Sequence, residues 1–309
     1  MAGQEDDAVR PFPLREPLRV AITGATGLFG RGLVEIFSAR HTVLPLTRAD
    51  ADITKVDKVR RVLAGLRPDV VVHPAAIPDP DICEADPEKA FLVNVEGTRH
   101  VVEAARELGV AMVQISTDAV YDGKKQAPYL ESDPIDPPSV YGKTKAQADQ
   151  IVQTLPRYWI FRVPVLFGPG KTNFVEKGLG KLAAGEEYAV ASDQIGNSLY
   201  TLDGARTIME VVESGPSGIY HLTNQGACSR LDLARLAAEL AGADSRQVIG
   251  KPIDQMGRLA PRLKYSVLEM GALKRAGIAP PRPWKEALAE YLHSRFPGRP
   301  SSAVGFSQP

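Results

Sequence analysis

The sequence predicts an α/β fold: a doubly wound parallel sheet with a smaller α/β lobe built from two separated segments. Three observations carry this. Short β-rich apolar runs alternate with longer stretches of helical periodicity through the first half of the chain. Several of those runs are almost wholly apolar, as strands covered by helices on both faces must be. After Gly168 the rhythm changes, and a helical stretch leaves the main body.

Taken in order, residues 18–23 read as a strand, and residues 28–40 as a helix with Leu33, Ile36 and Phe37 at helical spacing. Residues 41–46 are a strand, 55–66 a helix, and 69–73, with three valines in the middle, a strand. A long helix over 87–108 ends at Gly109 as its C-cap, and residues 111–117 form the next strand. The proline-rich stretch 121–138 is too irregular for a sheet element and reads as a surface loop. Residues 139–155 are helical and 158–167 a strand. Helices follow over 171–184 and 202–213, and residues 218–223 make a strand that can return to the sheet. Ser229 is an N-cap, with Asp232 in the first turn of a helix running to Leu240. Residues 283–294 form a last helix. The resulting division is a flexible arm (1–17), a main unit (18–172 and 196–224), a lobe (173–195 and 225–296) and a flexible tail (297–309).

The 309 residues suffice for such a core plus lobe. Lys plus Arg and Asp plus Glu both number 37, which gives no pull towards nucleic acid or an anionic membrane. Cys83 and Cys228 match no metal-ligand spacing and argue against a disulfide framework. No apolar run approaches the ~20 residues of a membrane helix. The first residues lack the basic start and apolar stretch of a signal peptide. A cytoplasmic protein is expected.

The first strand runs directly into Gly24-Ala25-Thr26-Gly27-Leu28-Phe29-Gly30. In a βα turn, the first glycine permits the bend, the second lets amides approach a pyrophosphate, and the third lets helix and strand pack closely. The helix N-terminus then offers unpaired N–H groups to phosphates. This is the phosphate loop of a Rossmann-type dinucleotide-binding unit. The second strand ends Leu46-Thr47-Arg48, with no acid before Asp50. An acid there suits a ribose 2′-hydroxyl and an arginine a 2′-phosphate, so Arg48 points to NADP, with NAD as the alternative.

Tyr141 and Lys145 are four apart at the start of a helix and share a face. A tyrosine needs a neighbouring positive charge to move protons at neutral pH, because its ordinary pKa is about 10. Alone, that spacing is common on surface helices. Thr117 raises its weight: it ends the fourth strand at the carboxyl edge, where such sheets bind ligands, and can hold a carbonyl under reduction.

The stretches TGATGLFG, DVVVHPAA, NVEGT, STDAVYDG, YGKTK, FRVPVLFG, DQIG and GIYHLTNQGACSRLDLARL span most of the chain. Together they resemble the dTDP-4-dehydrorhamnose reductase family of the extended short-chain dehydrogenases. The glycine loop and YxxxK are shared across that superfamily, whereas STDAVYDG and DQIG are narrower. The resemblance implies NAD(P)H-dependent reduction of a nucleotide-linked 4-keto-6-deoxy sugar. Thr117, Tyr141 and Lys145 would be catalytic. Ala75 and Ala76 would line the cofactor channel, Asp52 and Ile53 would flank the adenine, and Asn94 would brace the active-site helix on the cofactor side. Asp118, Arg162, Asn173, Asp193 and Gln194 would surround the substrate. The partner is a small nucleotide sugar, and a homodimer stays open.

Two departures stand out. Ala119 replaces the aromatic residue the family usually carries after STD, and Leu28-Phe29 replaces its usual Gln-Leu or Gln-Val. Acidic residues that some members use for a metal at a dimer interface are not evident, and no metal is expected. Two other readings fit the superfamily: an epimerase or dehydratase that holds NAD tightly, and a regulatory subunit similar to the β subunit of methionine adenosyltransferase.

Overall fold

A computed structural model describes residues 17–296. The expected arm, apart from residue 17, and the expected tail lie outside the described residues. The first half runs β1 (Arg19–Thr23), α1 (Leu28–Ser38), β2 (Thr42–Leu46), α2 (Val56–Leu66), β3 (Val70–His73), α3 (Pro80–Ala85) and α4 (Pro87–Phe91). A π-helical turn, Leu92–Glu96, joins α4 to α5 (Gly97–Leu108), followed by β4 (Ala111–Thr117), α6 (Val140–Val152) and β5 (Tyr158–Val163). The second half continues β6 (Val165–Phe167), α7 (Phe174–Ala183), β7 (Tyr188–Ala191), β8 (Ile195–Gly196), β9 (Ser198–Tyr200), α8 (Thr201–Ser214) and β10 (Gly218–His221). It closes with β11 (Cys228–Ser229), α9 (Arg230–Leu240), β12 (Val248–Lys251), β13 (Tyr265–Ser266), α10 (Gly271–Arg275) and α11 (Trp284–Arg295).

Six strands form one parallel sheet in the order β10-β5-β4-β3-β1-β2. Successive side chains of a strand face opposite sides, and both sides here are apolar. Val20, Ile22, Val70 and Val72 face a cluster with Leu33 and Phe37 of α1 and Ile208 and Val211 of α8. Ala21 and Val71 face the other cluster, with Val59 and Leu63 of α2, Val101 of α5 and Val152 of α6. The chain winds from β1 to β2 on one side and to β3 on the other, so the carboxyl ends of β1 and β3 flank the switch point where such sheets bind ligands.

The remaining elements make the smaller α/β lobe, with β8 between β11 and β13 and β7 beside β12. Phe167, Val175, Leu233, Trp284, Leu288 and Tyr291 form much of its core. Among the described residues no helix is long and apolar enough to cross a membrane.

Three local expectations change. The single strand expected over 158–167 is two, because Pro164 has no N–H for the ladder; β6 leaves the sheet to pair with β9. The helix expected from residue 171 begins at Phe174, where the Asn173 side chain caps it by accepting from Val175 N (3.0 Å) and Glu176 N (3.2 Å). The helix over 87–108 is continuous but changes pitch at the π turn.

Candidate active site

The glycine loop is tight for steric reasons. Gly24 has φ +57°, and a Cβ on Gly30 would lie 2.2 Å from the Gly24 carbonyl oxygen. Only bare backbone fits, so loop and helix start close on each other. Gly27 caps α1 without a side-chain hydrogen bond, leaving the first amides of the helix free for an anion. Thr26, Leu28 and Phe29 line the same cleft, as do Ala75 and Ala76 after β3. At the end of β2 the Arg48 side chain is 82% exposed on the cleft rim, with its Nε 3.5 Å from Asp52. Asp52 is held by Thr54, whose N (3.1 Å) and Oγ1 (2.8 Å) both donate to it. Ile53 is buried beneath, against Gly97.

The second part of the site lies where β4 meets α6. The Ser139 hydroxyl caps α6 by accepting from Gly142 N at 3.1 Å, which fixes the first turn and Tyr141 with it. Tyr141, Lys145 and Thr117 all open onto the cleft. Thr117 Oγ1 accepts from Ala119 N and donates to Asp118 Oδ1, both at 3.1 Å. Asn94, on the π turn, is fully buried and not on the cleft wall. Its Oδ1 accepts from Ile77 N (2.8 Å) and its Nδ2 donates to Thr144 Oγ1 (3.1 Å). It therefore ties the chain after β3 to α6 without facing a cofactor.

Burial drives the Tyr141 phenol well above its ordinary pKa, with the Thr117 hydroxyl pulling the other way. Burial pushes Lys145 down to about 8, opposed by the charge of Asp149. Asp149 in turn is pushed up to about 6 by burial, against the pull of Lys145, Arg162 and a hydrogen bond from Ser116. His73, below them, is lowered to about 3 by burial and by Lys145. It is neutral, bonded to Thr23 Oγ1 at 2.7 Å. Asp149, Ser116 and His73 were not singled out from the sequence; for Asp149 the signal was its place one turn beyond Lys145 on the same face.

On the far side of the cleft, Asp118 accepts from Ser266 Oγ at 2.7 Å, and burial raises its pKa. Gln194 lines the cleft, and its carbonyl oxygen accepts from Arg230 N at 3.1 Å. Asn173 also lines it, although its side chain is spent on capping α7 and on Gly168 O (2.9 Å) and Tyr291 Oη (3.0 Å). Two expectations need correction. Arg162 is not on the cleft wall: cross-strand from Ser116, it points with it towards α6, its Nε 3.8 Å from Asp149 and its Nη1 donating to Tyr121 Oη at 2.7 Å. Asp193 also lies off the wall, accepting from Ile253 N at 2.6 Å and facing Lys264. Residues missed from the sequence include Tyr188, Arg230 and Arg258, all on the lobe wall; lone lobe residues far along the chain carry no spacing signal.

The cleft holds about 1050 Å³, room for two large ligands. A Rossmann-type sheet, a bare-backbone phosphate loop and a tyrosine–lysine pair beside a strand-end threonine define a protein of the short-chain dehydrogenase class. A family model described as "RmlD substrate binding domain" matches residues 18–296, and the chain belongs to that family. It is 37% identical to the spore coat polysaccharide biosynthesis protein SpsK of Bacillus subtilis, over 90% of this chain and 98% of that one. It is 36% identical to a dTDP-4-dehydrorhamnose reductase of Mycolicibacterium smegmatis, over 88% and 84% respectively. Among solved structures, the dTDP-4-dehydrorhamnose reductase of Bacillus anthracis in complex with NADP superposes with a TM-score of 0.87. It is 30% identical, over 90% of this chain and 99% of that one.

Proposed function

We infer that this protein is an NAD(P)H-dependent reductase of a nucleotide-linked 4-keto-6-deoxy sugar, the activity its named relatives share. The observation that carries this reading is the opening of Thr117, Tyr141 and Lys145 onto the same cleft as the glycine loop. The residues fit the cofactor. The loop leaves no room for a Cβ where a pyrophosphate must approach, and the Arg48 guanidinium is free on the rim to meet a 2′-phosphate, which favours NADP over NAD. The main unit (18–172 and 196–224) would hold the cofactor, and the lobe (173–195 and 225–296) the substrate. Cys83 and Cys228 are free thiols, both buried, which supports a reducing compartment, the cytoplasm.

A bound reduced nicotinamide supplies hydride to the carbonyl carbon. The chain's own residues do the rest. Thr117 Oγ1 donates to the carbonyl oxygen and fixes its direction. Tyr141, kept protonated by burial, gives its proton to that oxygen as it gains charge. Lys145 keeps its charge below about pH 8 and stabilises the tyrosinate left behind. Asn94 holds α6 against the chain after β3, so the donor geometry is set before substrate arrives.

The test is NADPH oxidation against thymidine-diphosphate-linked 4-keto-6-deoxyhexose. Stoichiometric oxidation with sugar reduction supports the reading. Tightly held NAD that turns over with no net nicotinamide oxidation sinks it and favours an epimerase or dehydratase.

A further inference from the structure

We propose that Arg230, with Arg258 beside it, forms an anion site on the lobe wall that holds the diphosphate of the substrate; this rests on the reductase reading above. Arg230 opens α9 and is only 9% exposed, yet it lines the cleft. Its guanidinium has five N–H donors, and the protein takes Nη1 alone, in a long 3.4 Å bond to Asn197 O. Among the described residues no carboxylate lies within ion-pair reach; Asp118 acts on it only through its field. A buried cation so weakly satisfied costs stability, and its place in the first turn of a helix adds to the cost. A bound anion offsets both.

Arg258 is the second component. Its side chain is half exposed on the same wall, 3.7 Å from Asp81, a loose pair that leaves donors free. The Tyr188 ring, also on the wall, feels the charge of both arginines. The balance of the whole cleft agrees. Seven Lys and Arg side chains line it against four carboxylates, in a chain whose formal net charge is zero. The glycine loop and Arg48 serve the cofactor's phosphates at one end. The arginines on the lobe wall remain for a second anionic ligand.

The chemistry of the substrate identifies the anion. In a hexopyranose, C4 and the anomeric oxygen lie across the ring from each other. With the C4 carbonyl against Thr117 and Tyr141, the diphosphate on the anomeric oxygen projects away from the sheet edge, towards the lobe. Asp118 stands at the catalytic end, held by Ser266, and its charge repels a diphosphate that enters reversed. The arginines and Asp118 together give the binding its direction.

The experiment is calorimetric titration of thymidine diphosphate into the NADP⁺-saturated protein, as wild type, Arg230→Gln and Arg258→Gln, with thermal melting to confirm folding. Wild type should bind. Arg230→Gln should bind about 10- to 100-fold more weakly, as loss of charge-assisted hydrogen bonds predicts, with NADP⁺ affinity unchanged. Arg258→Gln should lose less, and it carries the test by itself if Arg230→Gln does not fold. Equal affinity in wild type and the folded variants overturns the site while leaving the reductase reading intact. No binding by wild type overturns both. Arginine-dependent binding without any sugar reduction keeps the site and removes the reductase reading.

Discussion

Asp149 lies one turn beyond Lys145 on α6, and each holds the other's charge in a buried setting. Ser116 donates to Asp149 Oδ2 at 2.7 Å, and Oδ1 is buried with no hydrogen bond. The carboxylate therefore acts mainly through its field, which raises the Lys145 pKa against the larger lowering by burial. Lysine is charged below its pKa, so turnover should fall as pH rises through about 8. Replacing Asp149 by Asn removes the raising contribution, and the alkaline limb should move to lower pH. His73 and Arg162 also face this cluster, but neither changes charge in that range: His73 is neutral from about 3 upwards, and arginine stays protonated. A kcat–pH profile of D149N superimposable on wild type would show that Asp149 does not set the lysine.

Tyr141→Phe removes the proton donor and little else. Positioned acid catalysis contributes about 10²–10⁴-fold, so kcat should fall by that order. The glycine loop and Arg48 are untouched, so NADPH affinity, read by fluorescence titration, should stay within about twofold of wild type. Normal turnover by this variant would remove Tyr141 from the chemistry.

The main sheet was legible in the sequence because its signal is local. Residues 111–117 are apolar, follow Gly109 and coincide with β4. The same holds for the glycine loop, where geometry and chemistry lie in seven consecutive residues. What was not legible depends on which way a side chain turns in the finished fold. Arg162 ends a strand, as a substrate residue would, but β-alternation sends it to the α6 face, where Asp149 and Tyr121 meet it. Arg230 looks like an ordinary first-turn residue until Ser266, Asp118 and the cleft are assembled around it. Strands of two residues, such as β8 and β13, carry no periodicity and exist only through distant pairing.

Arg162 provides a test of that correction. Its side chain is 4% exposed, beside Asp149 and against the Tyr121 ring. Removing one partner of a buried pair leaves an uncompensated charge, at about 3–5 kcal/mol. Arg162→Met keeps volume and should lower stability by that order at pH 8, measured by urea unfolding. Asp149 already has a raised pKa, about 6 in the folded protein, and the variant raises it further. A group with a raised folded pKa adds stability that is present at low pH and lost as pH rises through that pKa. The gap between variant and wild type should therefore shrink at pH 5. A loss of substrate affinity with no loss of stability would instead return Arg162 to the substrate.

Arg48 separates the two cofactors. It is exposed on the rim beyond β2, and Asp52 holds it only at 3.5 Å, so it can turn to a 2′-phosphate at little cost. NADPH and NADH differ only in that phosphate. Arg48→Ser should therefore weaken NADPH by about 10- to 100-fold, the range of a lost charge-assisted contact. NADH offers the guanidinium no phosphate there, so its affinity should stay nearly constant, or rise as Asp52, freed from its partner, accepts from the ribose 2′-hydroxyl. The measurement is the ratio of kcat/KM for the two cofactors with one sugar substrate. A ratio that does not move would mean that another residue reads the ribose, and the preference inferred from the end of β2 would fall.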